Sequence, residues 1–295
     1  MRTFILGTDW WTDCDDAVAL RMLFKAHNEN KIKLLGIGIN ACMEYSVTSM
    51  EGFMNLEGIC DIPLSIDINA TDFGGRPPYQ ERLSKYAEKY TSNSDVEDAV
   101  EMYRRILSEI EGKTEIIEIG YPQVLANLLE SKPDDISDKL GYELVKEKVS
   151  KIWMMAGKWD EDKGLENNFR RNPRSREASH RFLKACPVPI TFLGWEVGYD
   201  VITGGKLSKD DHLYQVLSDH KSYEGRMSWD PMLMLLALIG DEEKAGYDTV
   251  TGTAYVDIDT GANSFIVDPS GLHKYVIKKR ENDYYKTEID SLLER

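Results

Sequence analysis

Residues 7–17 read Gly-Thr-Asp-Trp-Trp-Thr-Asp-Cys-Asp-Asp-Ala, and this stretch decides the fold because it joins an apolar run to a helical pattern. Residues 3–8 are predicted as a buried strand, and residues 15–28 have the apolar spacing of an amphipathic helix. Four aspartates therefore fall within eight residues, at the point where a strand ends and a helix begins. Ligands of open α/β sheets bind at the carboxyl ends of the strands, so this junction is the first candidate site.

The aspartates of this junction are more numerous than a helix start requires. Asp13 and Asp15 could cap the helix and favour its dipole, but that explanation leaves Asp9, at the end of the strand, unexplained. Carboxylates packed together repel one another unless a cation neutralises them, and oxygen ligands favour calcium or magnesium. No basic or glycine-rich cradle for phosphate accompanies them, which disfavours a metal-dependent phosphatase. The junction therefore predicts a divalent cation site.

Strand and helix patterns alternate along the first 240 residues. Further strands are predicted at 33–39, 63–66, 115–119, 151–156 and 189–193, and further helices at 46–59, 95–111, 124–130 and 175–184. Ser94 or Asp95 is the expected cap of the helix at 95–111. The alternation predicts an α/β fold with a mainly parallel central sheet flanked by helices. Short strands at 251–256, 263–267 and 275–278, joined by turns, predict a small C-terminal antiparallel β element at about 250–280.

The organisation of the chain is predicted to be simple. No linker or low-complexity tract divides it, so we expect a single domain over residues 1–295 with the antiparallel element at its C-terminal side. Residues 69–78 contain two glycines and two prolines, which predicts a long loop that could act as a lid.

The composition limits the classes of partner. The formal net charge of −15 would repel a phosphate backbone, and a hydrophobic content of 42% excludes a wholly disordered chain. No apolar run approaches the ~18 residues of a membrane span, and the first residues do not form a secretory pattern. The four cysteines stand far apart, as expected of reduced thiols. We therefore expect a cytoplasmic protein that binds neither nucleic acid nor a membrane.

The acidic junction resembles the N-terminal signature of the inosine/uridine-preferring nucleoside hydrolases. Their pattern is a strand, Asp-x-Asp-x-Gly, a short link and Asp-Asp-Ala at the start of a helix, and one subgroup has a link two residues longer. This chain matches that longer pattern without gaps. Gly7 stands for the first aspartate, Asp9 for the second, and Asp15 and Asp16 for the final pair.

Six more blocks agree with the subgroup in the same order, and they extend the resemblance over most of residues 1–240. They are found at 98–107, 120–129, 155–157, 166–169, 194–198 and 228–231. The resemblance implies a nucleoside-hydrolase-like, Rossmann-like open sheet. It also implies hydrolysis of the N-glycosidic bond of a ribonucleoside or related ribosyl compound, giving ribose and free base. Family members are homodimers or homotetramers, so a homo-oligomer is expected.

The resemblance also implies a calcium site and a set of roles. In the family Ca²⁺ holds the attacking water and the ribose hydroxyls at the floor of the pocket. Carried over, Asp9, Asp16 and Asp230 would be carboxylate ligands, Gln123 would give a main-chain carbonyl, and Asp9 would also be the general base. The substrate-binding positions would be Asp15, Asn40, Met155, Glu166, Asn168, Glu196, Trp229 and Trp11.

Several of these residues have a simpler interpretation. Asp230 precedes Pro231 and fits the N-cap of a helix with proline at its first position; it could serve as this cap alone or as both cap and metal ligand. Met155 fits a core position, and Glu166 and Asn168 lie in a polar stretch that reads as a loop.

Three departures from the family pattern concern its chemistry. Gly7 removes the first carboxylate, and Trp11 replaces the turn glycine, so that its indole must reroute the loop or project into the pocket. Trp229 stands where purine-preferring members have a histidine that protonates the leaving base, and an indole is not an acid near neutral pH. The leading hypothesis is therefore a calcium-dependent hydrolase. The alternative is a catalytically weak or silent ribosyl-binding protein that retains the metal site.

Overall fold

The computed structural model describes residues 1–294, and its largest feature is a sheet of ten strands. The strands run in the order β11-β10-β12-β7-β6-β5-β1-β2-β3-β4. Their bounds are β1 Arg2–Thr8, β2 Ile32–Ile39, β3 Leu64–Ile66, β4 Glu97–Asp98, β5 Thr114–Glu118, β6 Val149–Met155, β7 Ile190–Leu193, β10 Tyr247–Val256, β11 Asn263–Val267 and β12 His273–Lys278. A separate two-stranded ribbon pairs β8 Ile202–Thr203 with β9 Arg226–Met227.

The central sheet is parallel from β4 to β12, as the strand and helix alternation predicts. The antiparallel element is also present, since β10 pairs antiparallel with both β11 and β12. It is continuous with the main sheet because β12 pairs in parallel with β7. The predicted α/β fold class is confirmed.

Helices cover both faces of the sheet. Their bounds are α1 Asp15–Asn28, α2 Ser46–Leu56, α3 Gln80–Leu83, α4 Ala99–Glu109, α5 Gln123–Glu130, α6 Gly141–Lys148, α7 Asn167–Arg170, α8 Pro173–Ala185, α9 Trp195–Gly198, α10 His212–Asp219, α11 Trp229–Ile239 and α12 Asn282–Leu293. Side chains alternate across a strand. Phe4 and Leu6 of β1 therefore join the core under α1, α2 and α11, and Ile5 joins the core under α4, α5 and α8.

Local hydrogen bonds explain where predicted boundaries differ. The helix predicted at 95–111 begins only at Ala99, because the Asp98 carboxylate accepts the backbone N–H groups of Val100 and Glu101. The expected caps, Ser94 and Asp95, instead belong to a separate 3₁₀ turn that spans Asn93–Asp95. The helix predicted at 46–59 ends at Leu56, and Gly58 then takes a positive φ of 73°.

The loop between β3 and α3 contains the predicted residues 69–78 and has no helix or strand. Among residues 1–294, no helix combines the length and the apolar character needed to cross a bilayer.

Candidate active site

A cavity of about 250 Å³ lies at the carboxyl ends of four neighbouring parallel strands, β1, β5, β6 and β7. The residues after these strands, together with the first turns of α1, α7 and α11, form its wall. The lining residues are Asp9, Trp11, Thr12, Asp13, Asp15, Asp16, Ile119, Met155, Glu166, Asn167, Asn168, Trp195, Trp229 and Asp230. The acidic junction therefore lies at a ligand-binding edge of the sheet, as its position in the sequence predicts.

Three carboxylates meet at the floor of this cavity. Asp15 and Asp16 begin α1, Asp230 lies in the first turn of α11, and one oxygen of each lies within 4.8 Å of the other two. The Asp230 backbone N–H donates to the Asp15 carboxylate at 3.2 Å, which ties the two helices together. Asp230 is not a helix cap, because α11 already begins at Trp229 and Ser228 is the residue before it.

Asp9 lies in the same cavity wall, outside this group of three. Its carboxylate accepts the Trp11 backbone N–H at 3.0 Å, which orients it at the end of β1. Asp16 is held from beneath, since its Oδ1 accepts the Thr8 hydroxyl and the Trp10 backbone N–H. The backbone after β1 thus positions both carboxylates before any ligand binds.

The electrostatics of this cluster favour a bound cation. Within residues 1–294, no lysine, arginine or histidine forms an ion pair with Asp9, Asp15, Asp16 or Asp230, although Asp15, Asp16 and Asp230 are buried and Asp9 is half-buried. Burial raises the pKa of Asp9 to about 8 and raises the pKa of each of the other three well above its usual value. Buried carboxylates of this kind either keep protons or neutralise their charge on a metal. Their oxygen donors fit a hard divalent ion such as Ca²⁺.

Asp13 differs from its neighbours because it has a cationic partner. The Arg226 guanidinium donates to both Asp13 oxygens, and the Nε contact is 2.8 Å long. This pairing keeps the pKa of Asp13 below its usual value despite burial. The helix-capping interpretation is not supported, because no side chain caps α1 and the only backbone N–H of residues 1–294 that the Asp13 carboxylate accepts is that of Cys14, which precedes the first helical residue.

The polar stretch at 162–171 contributes a hydrogen-bonded segment to the wall of the cavity. Glu166 caps α7 by accepting the Asn168 backbone N–H at 2.8 Å, and it also accepts the Gly157 N–H at 3.0 Å. The Asn168 side chain donates to the Met155 carbonyl at 2.8 Å. Burial raises the pKa of Glu166 to about 7. These three predicted positions therefore lie together and face the carboxylates.

The loop after β1 shows how tryptophan is accommodated where the family pattern has glycine. The left-handed conformation occurs at Trp10, with φ 45°, rather than at Trp11. Such a conformation costs on the order of 1–3 kcal/mol in a non-glycine residue. The buried Trp10 indole offsets it by donating to Ser49 at 2.8 Å and packing against Phe53 and Tyr79. Trp11 then projects into the cavity.

Trp11 and Trp229, two of the predicted substrate-binding residues, both have their indole N–H groups engaged. The Trp11 indole donates to the Gly74 carbonyl at 2.7 Å, and the Trp229 indole donates to the Trp195 carbonyl at 2.8 Å. Arg171 stacks over Trp11, with its guanidinium carbon 4.3 Å from the ring centroid. Within the described chain, no histidine lines the cavity. These walls therefore present aromatic faces rather than proton donors.

Three predicted site residues do not line the cavity. The fully buried Asn40, directly after β2, donates to Glu118 and accepts the Tyr121 N–H, so it links the ends of β2 and β5 across β1. The Gln123 side chain donates to the Asn40 carbonyl. Glu196 folds back to accept the Trp159 N–H at 3.2 Å.

Sequence reasoning missed Glu118 and Asn167. Glu118 had a signal in the sequence, because a carboxylate at the end of an apolar parallel strand is unusual. Asn167 donates to the Tyr121 hydroxyl at 3.2 Å and had no separate signal.

Comparisons with known proteins support the fold. No protein-family model matches the chain, and no curated protein sequence matches it. Several solved structures are similar over 99% of this chain, and three of them illustrate the range. They are an inosine-uridine preferring nucleoside hydrolase from Bacillus anthracis (14% identity, 99% of that chain, TM-score 0.68), a purine-preferring ribonucleoside hydrolase from Gardnerella vaginalis (16%, 99%, 0.69) and the type III effector protein XopQ complexed with adenosine diphosphate ribose (13%, 93%, 0.68). The predicted fold is confirmed: the chain has the fold of the nucleoside hydrolases.

Proposed function

We propose that this protein is a Ca²⁺-dependent hydrolase of the N-glycosidic bond in a ribonucleoside or related ribosyl compound. One observation carries the proposal: Asp15, Asp16 and Asp230 each place one carboxylate oxygen within 4.8 Å of the other two. No cationic side chain of the described residues pairs with these three carboxylates. The solved structures of the same fold include two nucleoside hydrolases. A ribosyl substrate fits a small cavity lined by carboxylates and carboxamides.

Asp16 and Asp230 would hold the calcium ion together with Asp9, and Asp15 is close enough to join them. The main-chain carbonyl of Gln123 stays a predicted ligand. When bound, the ion would supply positive charge that acidifies an attacking water and holds ribose hydroxyls. Without it, the same carboxylates would keep their protons, because burial raises the pKa of each.

Asp9 would act as the general base. Its Oδ1 accepts the Trp11 N–H, so the carboxylate is already oriented toward the cavity. It would take a proton from the water that attacks the anomeric carbon. The carbon–nitrogen bond would break at the same time, and its electron pair would leave with the nucleobase. The oxocarbenium-like state would be stabilised by neighbouring carboxylates, and Glu166 and Asn168 would bind ribose hydroxyls.

The leaving base would depart without a proton from the aromatic walls. Trp11 and Trp229 have their N–H groups bonded to backbone carbonyls, so they can stack on a base but cannot donate to it. This observation also favours the second candidate, a ribosyl-binding protein with little or no turnover.

Release of ribose from a panel of nucleosides separates the two candidates. We expect turnover that a chelator abolishes and Ca²⁺ restores, with faster hydrolysis of p-nitrophenyl riboside, whose leaving group needs no proton. Asp9→Asn should lower kcat by about 10²–10⁴-fold, as loss of a general base does. Asp162→Asn, on the surface, is the matched control. Calorimetry that shows calcium and nucleoside binding without any turnover would establish the binding protein instead.

A further inference from the structure

Gly7 and Glu118 face each other on neighbouring strands directly beneath the acidic junction. They are register partners in the parallel pair of β1 and β5. A Cβ atom added to Gly7 would lie 2.1 Å from Oε2 of Glu118, closer than real side-chain contacts allow. The Glu118 carboxylate therefore fills the space that a side chain at position 7 would need. The nucleoside hydrolase pattern has an aspartate at that position.

Glu118 is fully buried, and its two oxygens differ in their partners. Oε1 accepts the Asn40 side-chain N–H at 2.8 Å and the Gly120 backbone N–H at 2.9 Å. Oε2 has no hydrogen-bond partner among residues 1–294. A buried carboxylate oxygen without a hydrogen-bond partner is costly, and its place beside the strand that ends next to Asp9 points to an electrostatic role toward the cluster of aspartates.

Glu118 is connected to the cavity through Asn40 and Gly120, which contact the backbone at the end of β1, next to Asp9. Asn40, which donates to Glu118, accepts the Tyr121 N–H at 2.9 Å and donates its own backbone N–H to the Thr8 carbonyl. Gly120 packs so tightly that a Cβ on it would lie 2.4 Å from the Asp9 backbone nitrogen. Glu118 therefore holds the turn against which Asp9 is placed.

We infer that Glu118 supplies from β5 the carboxylate that the family pattern carries on β1, and that it is a positioning residue for the metal site. This exchange between strands is possible because the absence of a side chain at Gly7 leaves the space that the Glu118 carboxylate occupies. The inference rests on the proposed function for the identity of the ion. The exchange itself concerns only the packing of positions 7 and 118.

The first test measures calcium affinity by calorimetry. Glu118→Gln keeps an acceptor for Asn40 and Gly120 but removes the charge, and we expect calcium to bind about 10- to 100-fold more weakly, as after loss of other outer-shell partners. Glu115→Gln is the matched control, because Glu115 lies at the other end of β5 and pairs with Arg2. A folded Glu118→Gln variant with the affinity of the unaltered protein overturns the inference.

The second test moves the carboxylate back to β1. Gly7→Asp alone should lower the Tm by about 5 °C or more through overpacking against Glu118. The double variant G7D/E118A should regain both the Tm and most of the calcium affinity, beyond E118A alone. A double variant that is no better than E118A, or that does not fold, overturns the exchange.

The two proposals fail in distinguishable ways. If the unaltered protein binds no divalent cation, the proposed function fails, whereas the Tm values of G7D and G7D/E118A still decide the exchange. If calcium binds and drives turnover but Glu118→Gln leaves the calcium affinity unchanged, only the inference about Glu118 fails.

Discussion

Individual carboxyl groups at the cavity floor have no basic partner within the described fold. Asp13 has Arg226 as a partner, but Asp9, Asp16 and Asp230 have no cationic side chain against them in the described chain. Their pKa values are raised by burial first and by one another second. The folded, cation-free protein therefore holds protons that its unfolded chain would release.

This difference in proton binding predicts how stability depends on pH. The pKa of Asp9 is about 8 in the folded state against an ordinary value of 3.8, so the cation-free protein should lose stability as the pH rises through that range. We expect lower urea midpoints at about pH 8 than at about pH 5 in chelator, and recovery with Ca²⁺ that is largest at the higher pH. Asp9→Asn should reduce the slope.

The same titration shows how that prediction would fail. Stability in chelator that rises between about pH 5 and pH 8 would mean that the four carboxylates are already ionised in the folded protein. Asp162→Asn, which alters an exposed carboxylate, should leave the slope unchanged.

Among the elements, the loop between β3 and α3 depends on a residue of the acidic junction. The Trp11 indole donates to Gly74, and Trp11 lies 6.2 Å from Phe73 between ring centroids. Arg171 adds a contact by donating to the Phe73 carbonyl at 3.2 Å. The predicted lid is therefore attached to the loop that carries Asp9.

Removing this attachment should loosen the loop without unfolding the protein. Trp11→Phe keeps an aromatic ring but loses the hydrogen bond to Gly74, which is worth about 0.5–1.5 kcal/mol. We expect amide hydrogen exchange at residues 69–78 to become about two- to tenfold faster. Trp153→Phe also loses an indole hydrogen bond, to Glu115 near the start of β5 and away from the cavity end of that strand, and should leave this loop unchanged. Equal exchange in both variants would show that Trp11 does not hold the loop.

Elements with a complete local signal could be predicted from the sequence. The helix at Asp15–Asn28 and the strand at Asn263–Val267 have the predicted bounds, because apolar periodicity and turn residues agree there. α6, α10 and α12 were not predicted. α12 is mostly polar, so its sequence shows no clear apolar face. The buried face is recognised only from its packing against α1 and α11.

The site could be predicted in part, and for a different reason. Nothing in local periodicity brings Asp230 to Asp15, since 215 positions separate them; the family resemblance supplied that pairing. The inward direction of Trp11 was one of two predicted outcomes. The engaged indole of Trp229 and the place of Glu118 depend on contacts between distant segments, which a single sequence does not reveal.

At the scale of the whole molecule, α12 joins the antiparallel strands to the face that bears the aspartates. The Tyr285 hydroxyl donates to the Gly246 carbonyl, and its ring stacks on Tyr247 with centroids 5.0 Å apart. α12 also packs against α1 and α11, the two helices whose first turns meet at the cavity. Both sheet regions therefore share one apolar core with the site.

Loss of Tyr285 should consequently destabilise the entire fold. Tyr285→Ala removes a fully buried ring, and we expect the free energy of unfolding to fall by about 3–5 kcal/mol in urea titrations. Tyr255→Ala, at a ring that is 48% exposed, should change it by less than about 0.5 kcal/mol. A change of that small size for Tyr285 would show that α12 contributes little to the core.

The contact between Gly7 and Glu118 also restricts which substitutions can be combined at these two positions during divergence. Aspartate at position 7 and glutamate at position 118 would compete for the same buried space, so the two changes together should destabilise the protein more than either one alone. A chain with glycine at 7 and a small residue at 118 would lack this carboxylate altogether. We therefore expect homologous sequences to carry an acidic residue at one of the two positions and a small residue at the other, which an alignment would check.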